Sequence, residues 1–472
     1  MSVSEGPLLC SKSKVLKKKA PFKIVFTSAI CFFLFIYPGL NAKAQDSTSA
    51  NQFEYNLDQC IDYALKHQND VVNAKLNEDF ANEQVLENKG KLLPHANING
   101  SLIRNLKLAT TLIPNTAGGN PGEKIPVQFG SKTTSAISGQ INQTVFNSNY
   151  FLGLKAAKVF TELSTHNLDV TVVGTRVNVT KAYYNVLVTK EGIRISQSNL
   201  DQISKALKDV KAKYDAGIAE TVDVNRIQVQ YNNALTGIGN QQRLYELSLQ
   251  QLKFQMGMPQ NDHLELTQTV SDFTTEQVGN IDTSNFLLTD RPEIAVQQTQ
   301  IALNELSLRS VKLSYLPELS AYLNYGRNYF SSSFADIYNR GFGNSALGLT
   351  LSFPIFQGTE RTHQINEAKI SLRQSQNDLD NLSQRIHLEV KDAYTQFINN
   401  NASLKTQKEN MGLTQGVFDR IRYKFDQGVS SSLDLLSAEN ELQLAQSNYI
   451  DALLSTLMSR VDLEQALGKL GK

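Results

Sequence analysis

The chain has 472 residues, with 46 basic and 45 acidic side chains, no Trp, and cysteines at Cys10, Cys31 and Cys60. So even a balance carries no basic bias towards nucleic acid. The length corresponds to roughly two to four ordinary domains.

At the N-terminus, Lys12, Lys14, Lys17, Lys18, Lys19 and Lys23 precede an apolar run from Ile24 to Tyr37, which is followed by Ala42-Lys43-Ala44. A basic region, a short apolar core and an A-x-A site predict a signal peptide over residues 1–44, so that the exported chain begins at Gln45. A membrane anchor is the alternative, but it needs about 20 apolar residues. Ile30 also breaks any lipobox before Cys31. Removing 1–44 takes seven Lys from the 46 basic residues and one Glu from the 45 acidic ones, leaving 39 and 44 and a net charge of −5. Cys60 is then the remaining thiol, and no internal disulfide is expected. No later stretch is apolar enough for a membrane helix, so a membrane would be crossed by strands.

A helical lead around Asn69-Asp70-Val71 runs to Leu93-Pro94. Period-two alternation follows. Ala96, Ile98, Gly100, Leu102, Leu106 and Leu108 face one way, and Asn97, Asn99, Ser101, Asn105 and Lys107 the other. Ile137, Gly139, Ile141 and Val145 form a second apolar row. The polar, Gly/Pro-rich residues 109–132, with Gly118-Gly119-Asn120-Pro121, are expected to be a surface loop. Next, Val179, Val186, Ile193, Leu200, Leu207 and Tyr214 recur every seven residues, with the smaller or polar Ala182, Thr189, Ser196, Ile203 and Val210 three residues on. This heptad predicts a long helix in coiled-coil packing. From Tyr150 to Ala216 it is free of Pro, about 100 Å at 1.5 Å per residue.

KYDAGIAETVDV, from Lys213 to Val224, then returns as KFDQGVSSSLDL, from Lys424 to Leu435, 211 residues later. KAYYN at Lys181 and DAYTQ at Asp392, Gly217 and Gly428, Ala234 and Ala445, and Gly257 and Gly468 share that offset. Upstream, Leu93-Pro94 and Leu316-Pro317 are 223 apart, as are Asn69-Asp70-Val71 and Pro292-Glu293-Ile294, so the copies differ by twelve residues in between. The second copy has apolar rows at Leu319, Ala321, Leu323, Tyr325 and Tyr329, then at Leu347, Leu349, Leu351, Phe353 and Ile355. Ser320, Asn324, Asn328, Thr350 and Ser352 lie opposite, and the loop between carries Ser331-Ser332-Ser333. Its heptad runs Val390, Phe397, Leu404, Met411, Phe418 and Phe425.

The repeat predicts domains 45–258 (a helix, a β-hairpin over 95–147 and a helix hairpin over 148–258) and 290–472 (a helix, a β-hairpin over 317–356 and a helix hairpin over 357–469), joined by 259–289. Four strands of about ten residues suit a tilted bilayer crossing. Four cannot close a membrane barrel, so the chain must oligomerise: two copies give eight strands and a filled interior, three give twelve and room for a lumen.

With its opening LDQCIDYALKHQNDV, the downstream KLLP, the FPIFQGTER exit from the fourth strand and the duplicated tip motif, the chain resembles the TolC-like outer membrane efflux proteins over about residues 53–470. The resemblance implies an α+β membrane protein. It implies a homotrimer with a 12-stranded β-barrel, four strands per chain, in outer membrane lipid, continuing into a 12-helix periplasmic α-barrel. It further implies an equatorial belt including 53–68 and 259–289. Only four residues follow Gly468, so no contribution from an extended C-terminus is expected there. Implied partners are a periplasmic adaptor and an inner-membrane transporter, for efflux or type I secretion, with no nucleic acid and no cofactor.

By the same resemblance, Gly217 and Gly428 break the two helix hairpins at the periplasmic mouth. Asp434 matches the family's aperture aspartate, with Asp223 as its repeat partner. Electrostatic preference for a helix N-terminus explains both carboxylates equally well. Thr221 or Ser431 suits the cap of the following helix. The family's further aperture carboxylate is Ser437 here and its loop basic residue is Ser430, so any closing network differs. An enzyme is disfavoured: His67, His95, His166, His263, His363 and His387 form no HxxxH pair, and there is no nucleophile elbow or phosphate loop. A periplasmic coiled-coil scaffold without channel activity is the alternative function.

Overall fold

The structure is a computed structural model describing residues 52–114, 124–274 and 286–471. The expected signal segment and the Gly118-Gly119-Asn120-Pro121 turn lie outside the described residues, as do residues 275–285.

Strand β1 (Gln52–Tyr55) leads into α1 (Leu57–His67) and α2 (Asn69–Gly90). Asn56 starts α1 with a reciprocal capping box: its side chain accepts from the Gln59 N–H, and Gln59 accepts from the Asn56 N–H, both at 2.9 Å. Strands β2 (His95–Arg104), β3 (Thr110–Pro114), β4 (Lys124–Gln128) and β5 (Thr133–Phe146) precede helix α3 (Ser148–Asp215) and the return helix α4 (Thr221–Met256). Between the repeats lie β6 (His263–Leu266) and the single turn α5 (Ser271–Thr274). The second repeat comprises α6 (Pro292–Leu313), β7 (Glu318–Ser331), β8 (Gly341–Ser352), α7 (Glu360–Asp426) and α8 (Ser432–Ala466).

β2, β5, β7 and β8 form one antiparallel sheet in that order. Its register places Ala96, Ile141, Leu323 and Leu347 in one cross-strand row, and Ile98, Gly139, Tyr325 and Ser345 in the next. The opposite face carries the row Asn97, Gln140, Asn324 and Ala346 and the row Asn99, Ser138, Gly326 and Asn344. One face is thus apolar and the other amide- and hydroxyl-rich. On the apolar side Ile98, Leu347, Leu349 and Leu351 are largely exposed, so no described residue covers that part of it.

Three details depart from the alternation. Leu106 and Leu108 lie beyond β2: the Asn105 N–H donates to the Lys132 carbonyl at 2.7 Å, closing the sheet end, and Leu106 is 98% exposed. A bulge between Thr144 and Phe146 takes Val145 out of the ladder, and Phe353 and Ile355 lie past the end of β8. The expected loop 109–132 is not simply a loop, because β3 and β4 pair within it as a separate antiparallel arm.

Each strand of the sheet continues a helix, so the helices packed beside it repeat the strand order: α2 on α3, α3 on α6, α6 on α7. Further away, α4 packs on α3, α3 on α8, and α8 on α7. α3 has 68 residues and α7 has 67, about 100 Å each at 1.5 Å per residue. The heptad positions Val179, Val186, Leu207, Phe397, Phe418 and Phe425 are buried, whereas Tyr214, at the end of the first seam, is 46% exposed.

Between sheet and tips lies the largest core, where Cys60, Val179, Tyr183, Leu187, Leu252, Met256 and Leu457 pack together. β1 pairs in parallel with β6 here, joining the lead of the first repeat to the stretch that follows its return helix. Gln268 Oε1 ties them to α3 by accepting from the Tyr183 hydroxyl at 2.8 Å and the Leu57 N–H at 3.0 Å. Leu470 also packs on this core, and its carbonyl accepts from Arg176 at 2.7 Å. Burial pushes the Cys60 thiol up to about 12, which makes it inert.

The repeat survives in close packing. Gly257 (φ 70°) and Gly468 (φ 70°) each end a return helix in the left-handed region. A Cβ on Gly257 would sit 2.6 Å from the His67 carbonyl oxygen, and one on Gly468 would sit 2.7 Å from that of Asp290. His67 and Asp290 precede the equivalent lead helices α2 and α6, so each repeat closes on itself through a glycine that no other residue replaces without strain.

Candidate functional site

The two helix hairpins end in nearly identical turns. Gly217 has φ 76° and Gly428 has φ 74°. The Ile218 N–H donates to the Lys213 carbonyl at 2.8 Å, and the Val429 N–H to the Lys424 carbonyl at 2.9 Å. These 6→1 bonds close both helices in the Schellman manner.

The return helices begin differently. At α8, Ser431 accepts the Asp434 N–H at 3.1 Å. Asp434 Oδ2 accepts from the Ser431 N–H at 3.0 Å, the Ser431 hydroxyl at 2.8 Å and the Ser430 hydroxyl at 3.1 Å. These donors, the Ser431 N–H foremost, hold the Asp434 carboxyl below the usual carboxylate range. At α4 the cap position is Glu220 rather than Thr221, which is the first helical residue. Asp223 Oδ2 accepts the Glu220 N–H at 3.3 Å. Both aspartates thus sit at N3 of their helices, as helix-end electrostatics alone would place them.

The structure also joins the tips to each other. The Ser432 hydroxyl donates to Asp223 Oδ1, while Arg226 Nη1 lies 3.4 Å from Ser432 Oγ and 3.8 Å from Asp223 Oδ1. Lys213 Nζ crosses to the end of α7, donating to the Phe425 carbonyl at 2.8 Å and lying 4.7 Å from the Phe425 ring centroid. Ile203, Leu207, Val210, Phe418, Leu435 and Leu442 form the apolar core shared by the two hairpins.

Glu439 lies within this core at 9% exposure, with Oε1 unpartnered, and burial pushes its carboxyl up to about 7 against the pull of Arg422. Arg422 itself donates to the Gln202 carbonyl on α3 at 2.9 Å. Lys213, Arg226, Arg422, Ser432 and Glu439 were not singled out by sequence. The 211-residue offset pairs Glu439 with Gln228 and Arg422 with Lys211, so the departure from the repeat was visible, but not its burial.

Higher up, α3, α4 and α8 enclose a groove of about 410 Å³ lined by Asn185, Asn199, Asn233, Gln241, Gln443 and Gln446. Asn199 and Gln446 bridge it by donating to each other at 2.7 and 3.3 Å. Among the described residues no three His, Cys, Asp or Glu side chains gather as metal ligands, and no helix is long and apolar enough to cross a membrane.

Residues 60–258 and 284–469 match the family model for outer membrane efflux proteins. The chain is 20% identical to the outer membrane protein TolC of Vibrio cholerae over 460 residues, covering 93% of this chain and 96% of that one. It is 22% identical to the alkaline protease secretion protein AprF of Pseudomonas aeruginosa, covering 58% and 59% of the two chains. Its fold matches the open state of the MtrE outer membrane channel of Neisseria gonorrhoeae with a TM-score of 0.67 and 19% identity, over 88% of this chain and 89% of that one.

Proposed function

The chain belongs to the outer membrane efflux protein family, and on that premise we propose that it is the outer-membrane duct of a tripartite efflux or type I secretion system. Three copies close a 12-stranded barrel in the outer membrane and a 12-helix tunnel in the periplasm. Cargo passes without a chemical step, delivered by an inner-membrane transporter through a periplasmic adaptor. Residues 1–44 are removed on export, and the 109–132 arm stands outside the cell.

One observation carries this reading: every layer ends in one free edge from each repeat. The sheet ends in β2 and β8. The helices beside it end in α2 and α7, and those near the tips in α4 and α7. Large apolar residues remain exposed along those helices, including Phe80 on α2, Leu247 and Phe254 on α4, and Leu388, Leu413 and Tyr423 on α7. Unlike edges that match head to tail close into a ring, and strand edges in lipid must close. Twelve strands leave space inside, which suits an inner face of Asn, Gln, Ser and Thr.

Gly217 and Gly428 then form the periplasmic mouth, where three copies of Asp434, joined by three of Asp223, ring the aperture. Purified in detergent, the protein should have the mass of a trimer by light scattering and native mass spectrometry. A stable monomer with full β-content would overturn the assembly, and release from cells without detergent would favour a periplasmic scaffold.

A further inference from the structure

The apolar face of the sheet changes character towards its loop end. The row of Ile98, Gly139, Tyr325 and Ser345 is followed by Gly100, Ile137, Arg327 and Gly343. Then come Leu102, Ser135, Tyr329 and Gly341, and finally Arg104, Thr133 and Ser331. The boundary between apolar and polar rows therefore falls near Ser135, and Arg327 is rooted one row on the apolar side of it. Arg327 is exposed, and no carboxylate pairs with it among the described residues.

Its side chain climbs to the boundary. A Cβ on Gly341, one row nearer the loops, would lie 3.1 Å from Arg327 Nε and 2.6 Å from Tyr329 Cε1. Gly341 thus lets the arginine and the tyrosine lie side by side across β8. The loop after β7 folds back onto this same face. Tyr338 meets the Tyr329 ring edge-on at 5.1 Å, its hydroxyl lies 3.4 Å from Ser135 Oγ, and Ile337 is 2% exposed. The guanidinium therefore ends beside a fixed aromatic ledge rather than in a free loop.

Among the described residues that end the sheet, Arg104, Lys132, Arg327 and Arg340 are basic, and Asp336 is the one carboxylate.

We propose that Arg327, with the Tyr329–Tyr338 ledge, binds the phosphate of an outer-leaflet lipid headgroup, one site per chain. The proposal rests on the reading of the sheet as an outer-membrane barrel with its loop end outward. An arginine rooted on a lipid-facing row reaches the headgroup level by extending its stem along apolar surface. There its planar fork can hold two phosphate oxygens, and aromatic rings favour the same depth. The surrounding cations add attraction for an anionic headgroup and none for a neutral one.

The test is native mass spectrometry of the full chain, stripped in neutral detergent and then offered bisphosphorylated lipid A, enzymatically dephosphorylated lipid A, or inorganic phosphate. The expected result is retention of up to three phosphorylated lipids per trimer, falling at least fivefold for the dephosphorylated lipid. Arg327→Gln should lower retention at least fivefold, and Arg327→Lys to an intermediate level, with the trimer intact in both spectra. Equal retention of the two lipids, or unchanged retention in the intact Arg327→Gln trimer, overturns the ledge. Inorganic phosphate that displaces the lipid at equal concentration overturns the lipid as source. Failure of the wild type to appear as a trimer in the same spectra overturns the barrel reading and the ledge with it.

Discussion

At the first hairpin tip, Lys211 donates to Gln228 at 3.1 Å on the surface of the protein. At the second, the repeat-related pair is Arg422 and Glu439, and the carboxyl is buried. The turns themselves, at Gly217 and Gly428, are nearly superposable in φ and hydrogen bonding. The difference arises from neighbours: α8 is packed on both α3 and α7, whereas α4 packs on α3 and forms the free edge. α8 accordingly buries Leu435, Ala438, Glu439 and Leu442 near its start, while the start of α4 buries Ile227. Duplication preserves a backbone, and position in the helix layer then decides what each side chain experiences.

The aromatic that ends each seam should separate the tips most. Phe425 is 7% exposed and its equivalent Tyr214 is 46% exposed. Phe425→Ala should cost about 3–5 kcal/mol of local stability, read as lost hydrogen-exchange protection across the α7–α8 tip. Tyr214→Ala should cost well under half as much, and equal losses would mean the hairpins are equally buried.

Next comes pH. Glu439 has its carboxyl raised from 4.5 to about 7 by burial, so the folded tip holds its proton more tightly than the unfolded chain. The stabilising contribution is full below about pH 4.5 and is lost as the pH rises through about 7. At roughly 1.4 kcal/mol per unit, the tip should be looser at pH 8 than at pH 4 by on the order of 3 kcal/mol. Exchange rates corrected for intrinsic chemistry would measure this. Glu439→Gln should flatten the profile, whereas Gln228→Glu, beside Lys211, should introduce none.

A smaller effect is expected for the lysine that crosses between the hairpins. Lys213→Met removes its bonds to the end of α7 and should cost about 1 kcal/mol at that helix end. Lys424→Met, its exposed repeat equivalent, should be silent in the same exchange measurement.

Smallest in stability are the aspartates. Asp434→Asn keeps an acceptor for the Ser431 N–H and should leave protection and trimer mass unchanged. In planar bilayers it should nevertheless lower cation selectivity and weaken block by trivalent cations, as expected for a carboxylate ring at a constriction. Unchanged conductance and selectivity in Asp223→Asn/Asp434→Asn would make both carboxylates helix caps alone.

Much of the fold was legible because it is periodic or repeated. Period two assigned Ala96 and Ile98 to one face and Asn97 and Asn99 to the other, since alternate residues of a strand must face opposite sides. The heptad from Val179 to Leu207 exposed the long seam, and the 211-residue offset made Gly217 and Gly428 one kind of turn. Aperiodic details were not legible. The β3–β4 arm contains Pro114 and Pro126 and no clean alternation. Glu220 rather than Thr221 occupies the α4 cap because the reach of Asp223, not the local residue type, completes that turn.

What the sequence determined by itself is local: which residues share a face, where helices stop, and that the unit occurs twice. The tertiary structure decided what depends on distant neighbours. It placed Lys213 on the end of α7, closed Gly257 on His67 and Gly468 on Asp290, and laid Tyr338 back on Tyr329. It also buried Glu439, because burial follows from the helices laid across a position and not from the residue there. No spacing along α8 records that α3 and α7 both cover it.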